Sequence, residues 1–221
     1  MPAARPRTRP KAKWQRRPAA RPEEILCAAV QVFGEDGFAR AKLEDVARKA
    51  GVSKGTLYLY FDSKDTLFRE MVKARITPVF AEAQQGMREF QGSARALLEW
   101  MIRCMWDTIR RPEMIHIARI VHAELASFPE LARFYFDEVI QRNRALLREA
   151  VQRGVATGEF RRVSHDFILR AVPSLLVHGA MYQRGFGVYD PAPLTDDQLL
   201  EGVLDLVMNG VLARAADAAS A

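Results

Sequence analysis

The sequence predicts an all-α fold in two unequal parts, an N-terminal three-helix unit containing a helix-turn-helix and a larger helical C-terminal part. Three observations carry this. From Arg21 onward apolar residues recur at helical spacing almost throughout. No segment shows the period-two alternation of a half-buried strand, and no pair of strand-like runs flanks a tight turn. The helices of the first 75 residues are short and closely punctuated by Gly and Ser, whereas those that follow are long. With 221 residues and 49% hydrophobic composition, the chain has enough apolar material for a packed core.

The first helix is expected from Pro22 to Glu35, where Ile25, Ala28, Ala29, Val32 and Phe33 form one stripe and "GEDGF" ends it. In the second, Leu43, Val46, Ala47 and Ala50 follow i, i+3, i+4, i+7, and Gly51 supplies a left-handed residue that stops it. Ser53 caps the third helix and Ser63 the fourth. The fourth carries Leu67, Phe68, Met71 and Val72, continues through Ala74 and is expected to bend at Pro78. Longer helices follow at Ser93–Arg110, Glu113–Leu125, Pro129–Arg153, Ser164–Arg184 and Thr195–Arg214. The loops "GVATGEF" and "RGFGVYDPAPLTDD" separate the last three. The organisation is therefore a basic arm at 1–21, expected to be disordered, a helix-turn-helix unit at 22–75, and a helical unit at 76–221.

The net charge of +6 is unevenly placed. Residues 1–22 hold eight Lys or Arg, no acid and five of the eleven prolines, which leaves −2 for residues 23–221. Such a segment buries too little apolar surface to offset its ordering entropy. It has three readings: insertion into a DNA minor groove, salt-sensitive phosphate affinity, or a solubilising tail.

Two short helices around a glycine turn, supported by a preceding helix, are the arrangement that sets a second helix in the DNA major groove. At about 100° per residue, Leu57 and Phe61 share the core side of the third helix. Lys54 and Tyr60 lie at the boundary, and Gly55, Thr56, Tyr58 and Leu59 face outward. An outward Gly-Thr-Tyr-Leu face suits recognition. Gly55 permits close approach, Thr56 offers a hydroxyl and a methyl to base edges, and Leu59 packs on a thymine methyl. Tyr58, Tyr60, Lys54 and Lys64 reach for phosphates, aided by the capped helix start at Ser63.

Residues Gly37 to Leu67, "GFARAKLEDVARKAGVSKGTLYLYFDSKDTL", resemble the DNA-binding domain of the tetracycline-repressor (TetR) family. That family's pattern includes Gly-Phe/Tyr, Ala-Gly-Val-Ser, Gly-Thr/Ala-Leu-Tyr-x-Tyr/His-Phe and a Ser/Asn-Lys-Glu/Asp pair. The resemblance implies operator contacts from Ser53, Lys54, Gly55, Thr56, Tyr58, Leu59, Tyr60 and Lys64. Where the family usually has Thr-Thr at the start of the second helix, this chain has Ala41-Lys42, so a capping hydroxyl is missing and Lys42 substitutes by charge. The resemblance further implies a ligand-responsive regulator, a repressor, that binds a palindromic double-stranded operator as a homodimer and is released by a small effector. A protein of the same fold that binds DNA without an effector is the alternative, and a packed or hollow C-terminal domain separates the two.

The last helix carries an apolar stripe too wide for one buried face, so it needs cover on two sides. Leu199, Val203, Leu206 and Val207 are therefore expected, with Leu169, Val172, Leu176 and Gly179 of the preceding helix, in a two-fold dimer interface. Trp100, Cys104, Met105, His122, Tyr135, His178 and Met181 are the candidate walls of a cavity for a hydrophobic effector.

No phosphate-binding loop, HExxH or Gly-x-Ser-x-Gly motif is present, which argues against an enzyme. His116 and His122 are about 600° apart on a helix, which separates them as metal ligands, and no cofactor is expected. The longest uncharged internal run, Ala171 to Gln183, is too short to span a bilayer. Two cysteines, Cys27 and Cys104, make no disulfide framework. A cytoplasmic protein is the expectation.

Overall fold

The structure is a computed structural model that describes residues 21–162 and 165–212; the basic arm expected at 1–21 lies outside them except for Arg21. Ten α-helices follow in order: α1 (Arg21–Asp36), α2 (Leu43–Lys49), α3 (Lys54–Tyr60), α4 (Lys64–Glu89), α5 (Ala94–Ile109), α6 (Pro112–Ala123), α7 (Pro129–Tyr135), α8 (Gln141–Ala156), α9 (His165–Gly185) and α10 (Asp196–Val211). Among the described residues there is no strand, only an isolated antiparallel bridge between Phe160 and Leu212. No described helix is long and apolar enough to cross a membrane.

Capping chemistry starts many of these helices where the sequence placed the signals. The hydroxyls of Ser53, Ser63 and Ser93 accept N–H donations from Thr66 (for Ser63), Thr56 (for Ser53) and Ala96 (for Ser93). Thr195 and Gln198 form a reciprocal capping box at α10. The departure at Ala41-Lys42 is visible too: Lys42 stands at the cap of α2 without a side-chain bond.

Three longer-range features differ from the sequence expectation. α4 does not end near Pro78 but passes through it, giving one rod of 26 residues. A helix-interior proline removes one main-chain bond. Burial of Ile76 and Met87 on either side of it favours continuation. The expected Pro129–Arg153 helix is α7 and α8 joined by a wider π-helical turn at Phe136–Ile140.

The third difference is in packing. One core joins α1, α2, α3 and the first half of α4 to Ile117 and Ile120 of α6, Leu125, and Leu131 of α7. The other joins α5, α8, α9 and α10 to Met87 and Ile115. α6 thus presents residues to both cores.

Candidate DNA-reading face and effector cavity

The turn before α3 is set by Gly51 at φ +66, a left-handed conformation that a side chain disfavours. Leu57 is fully buried and Phe61 nearly so, which anchors the inner edge of α3. On the outer edge Gly55, Tyr58 and Tyr60 are exposed, Leu59 is 78% exposed, and Thr56 is half-buried. An exposed leucine next to two exposed tyrosines has no packing role in the chain itself. The wheel derived from sequence therefore matches the geometry.

The polar groups around this face are partly engaged. Ser53 Oγ accepts the Thr56 N–H and lies 2.8 Å from Thr56 Oγ1, which orients the threonine. Lys54 Nζ is paired with Glu44 on α2 and lies 5.7 Å from the centre of the Tyr58 ring. That hydrogen bond holds Glu44 below its ordinary pKa and Lys54 above its own. The pair is exposed, so screening keeps it weak and the ammonium is exchangeable onto a phosphate. Lys42 is exposed at the start of α2.

Lys64 stands elsewhere. Its ammonium donates to the carbonyls of Phe38, Ala39 and Ala41 at 2.7, 3.0 and 3.1 Å and sits 4.7 Å from the centre of the Phe38 ring. Three N–H donors meet three carbonyls, so in this arrangement none is left for a phosphate. Glu124, just past α6, closes the same loop from the other side, accepting the N–H groups of Phe38 (3.0 Å) and Ala39 (2.6 Å). Gly37 makes room for it: φ is +82, and a β-carbon there would lie 2.4 Å from Glu124 Oε1. A loop of the DNA-reading unit is thus clamped between α4 and the end of α6. Sequence reasoning missed Glu124, because nothing local marks a carboxylate that acts 85 residues away.

A cavity of about 440 Å³ lies among α4, α5, α6, the α7–α8 rod and α9. Trp100, Cys104, Met105 and Tyr135 line it as expected from sequence, joined by Ile76, Phe80, Ala83, Met114, Val139, Asn143 and Val177. Its walls are mainly apolar, and Glu82, Asp107 and Arg111 stand exposed at its rim. Burial raises the Cys104 thiol pKa, which makes it an unreactive wall rather than a nucleophile.

Three expected wall residues are elsewhere. His122 is turned back so that Nδ1 lies 2.8 Å from the Ala118 carbonyl, His178 is exposed, and Met181 is outside the lining. On α9 it is Val177 that faces the cavity, and its neighbour His178 projects about 100° away. The missed walls on α4 share one cause: the sequence reading let the fourth helix lapse near Pro78, where the far wall begins.

The dimer expectation also needs correction. Leu169, Val172, Leu176, Val203 and Val207 are buried in the chain's own core. Gly179 takes the chain's own Leu199 against it: a β-carbon at Gly179 would lie 2.5 Å from Leu199 Cδ1. Leu206 stays exposed at 62%, and on α9 the exposed apolar residues are Phe167, Leu175 and Tyr182. The stripe is two-sided, and the sequence reading took its inner side for the outer one. Among the described residues no cluster of His, Cys, Asp or Glu is arranged to hold a metal ion.

A capped reading helix on a glycine turn, borne by a rod that also walls an apolar cavity, defines the class of helix-turn-helix regulatory proteins. The chain belongs to the TetR family of bacterial regulatory proteins. The family's N-terminal model matches residues 25–71, and a tetracycline-repressor-like C-terminal model matches residues 90–207. It is 26% identical over 198 residues to the transcriptional repressor KstR2 of Mycolicibacterium smegmatis, covering 88% of this chain and 92% of that one. It is 22% identical over 193 residues to the fatty acid metabolism regulator protein of Bacillus subtilis, covering 85% and 94%. The crystal structure of the Bacillus subtilis regulator FadR with stearoyl-CoA shares the fold at a TM-score of 0.70 and 20% identity, over 85% of this chain and 98% of that one.

Proposed function

We propose that this chain is a homodimeric transcriptional repressor, cytoplasmic, that binds a palindromic operator with one α3 per half-site and is released by a small apolar effector. Residues 22–75 then form the reading unit and 76–221 the effector and dimer unit. Gly55, Thr56, Tyr58 and Leu59 face the bases, and Ser53, Lys54, Tyr60 and Lys42 serve the backbone. Lys64 holds the α1–α2 loop in place. The observation that carries the reading is the exposed Gly-Tyr-Leu-Tyr edge of α3 opposite the buried Leu57 and Phe61.

The cavity supports effector release over effector-free DNA binding. α4 lines the cavity with Ile76 and Phe80 and continues into the reading unit, and α6 lies between the cavity and α1. A ligand that favours one placement of these helices shifts the population toward dimers whose reading helices miss successive major grooves. The likeness to KstR2, a repressor, and to FadR, crystallised with stearoyl-CoA, supports the same reading.

Selection from a random-sequence duplex library should enrich an inverted repeat with half-sites about one helical turn apart, or a multiple of it. Tyr58→Ala should then lose that binding while remaining folded and dimeric. An unchanged footprint from Tyr58→Ala would overturn the assignment of α3.

A further inference from the structure

Inside the cavity, polar atoms are few and nearly all occupied. Thr108 Oγ1 donates to the Cys104 carbonyl at 3.0 Å, and Asp107 pairs with Arg110. The Tyr135 hydroxyl has no hydrogen-bond partner among the described residues, although Tyr135 lines the cavity. It sits so deep that burial alone pushes its pKa up to about 12. The residue nevertheless keeps some accessible surface, which at that depth is surface facing the void. A buried hydroxyl without a partner is costly, and native proteins rarely keep one without use.

Its position on the rod is fixed. Tyr135 is the last residue of α7, directly before the π-helical turn that carries Val139, another wall residue. π-Turns within helices recur at ligand sites. Asn143, the other wall residue whose polar side chain has no partner, lies eight residues on, about 12 Å along the axis, and serves a different part of any ligand. No charged side chain is buried around the void, since Glu82, Asp107 and Arg111 are all exposed. A buried ionic group on the ligand would find no counter-ion there. At roughly 30 Å³ per water-sized atom, the volume admits on the order of fifteen non-hydrogen atoms.

We propose that Tyr135 is the specificity-determining anchor of the cavity, donating its hydroxyl hydrogen to a neutral carbonyl oxygen on an otherwise apolar ligand. This rests on the effector reading above and names the ligand class: an uncharged ketone, ester or amide with a ring system or short chain, rather than a hydrocarbon, an acid or an amine. A phenol at this depth stays protonated at any physiological pH, so it donates and the ligand accepts.

The probe that tests this is 6-propionyl-2-(dimethylamino)naphthalene, whose emission moves to the red when its carbonyl accepts a hydrogen bond. The full-length protein without DNA should bind it with emission red of that in hydrocarbon solvent. Tyr135→Phe, which removes only the oxygen, should shift the emission to the blue and weaken binding about tenfold. The analogue with a methylene in place of the carbonyl should bind both proteins equally. Ala83→Phe, which fills the void, should abolish binding. Equal affinity and emission in wild type and Tyr135→Phe would overturn the proposal, as would a probe indifferent to Ala83→Phe or one that fails to bind.

Operator release, measured separately, distinguishes the two ideas. A probe held through Tyr135 that leaves DNA binding unchanged would keep the anchor and count against effector release. Ligand-induced release that is indifferent to Tyr135→Phe would do the reverse.

Discussion

Lys64 shows how one side chain divides structure from recognition at the scale of the residue. Its three donations to the α1–α2 loop make it a clamp, whereas Tyr58 touches little of its own chain. Lys64→Met strips donors from three carbonyls and should cost about 1–3 kcal/mol. Thermal unfolding and operator titration should show stability and DNA affinity falling together, in contrast to Tyr58→Ala, where only affinity falls. Lost affinity at unchanged stability would return Lys64 to the phosphates. Glu159 is a second long-range clamp, accepting the N–H groups of Ala94 and Arg95 at 2.9 and 3.0 Å at the start of α5. Those bonds favour the ionised form and hold its pKa below the ordinary 4.5. The unfolded state therefore binds the proton more readily. The added stability is complete above about pH 4.5 and disappears as the pH falls through the lowered folded value. Glu159→Gln should flatten the acid side of a stability-against-pH curve; an unaltered acid slope would show that Glu159 contributes nothing to it. The inner and outer edges of α3 were legible in sequence because seven residues at 100° per step determine them. Lys64, Glu124 and Glu159 were not, because their partners lie 23 to 86 residues away.

Between elements, the contact of α1 with α6 depends on an absent side chain. A β-carbon on Gly34 would lie 1.8 Å from His116 Nδ1 and 2.6 Å from His116 Cβ, so the two helices approach as closely as they do because Gly34 has none. His116 Nδ1 is buried there without a partner. Its imidazole fills space beside the glycine and makes no hydrogen bond through that atom. Gly34→Ala should force α6 off α1 at a cost of about 1–3 kcal/mol, and operator affinity should change with it. Adding His116→Ala vacates the contested space, so the double variant should recover much of the loss in unfolding and DNA-binding assays. Simple additivity of the two effects would show that this contact does not set the spacing. Helix existence and most caps were readable from local pattern. The course of α4 was not, because a proline in a window of moderate amphipathicity reads as an end. Contacts from other helices bury Ile76 and Met87 on either side of it. The cavity inherited that gap: its α5 wall and Tyr135 were legible as Trp, Met and aromatic residues, and its α4 wall was lost with the helix.

At the scale of the molecule, the remaining question is which surface joins two copies. A stripe wider than one helix face tells of two neighbours, yet not which side each takes. The folded chain resolves this, since Leu169, Val172, Leu176, Val203 and Val207 are already covered by its own core. What remains outside is Leu206 on α10, with Phe167, Leu175 and Tyr182 at spacings of eight and seven residues along α9. Those spacings place the three near one face. In the proposed two-fold dimer every residue of the interface is used twice, so one substitution introduces two charges. Leu175→Glu combined with Leu206→Glu should leave helix content and the protomer fold intact but give a monomer in sedimentation equilibrium. Val203→Glu, placing an unpaired charge in the core, should unfold the protomer instead. The folded monomer should also lose operator affinity by orders of magnitude. Two tethered reading helices make the second half-site an intramolecular encounter, and a single helix loses that advantage. If the double variant sediments as a dimer and keeps its operator affinity, the exposed edge of α9 and α10 is not the interface.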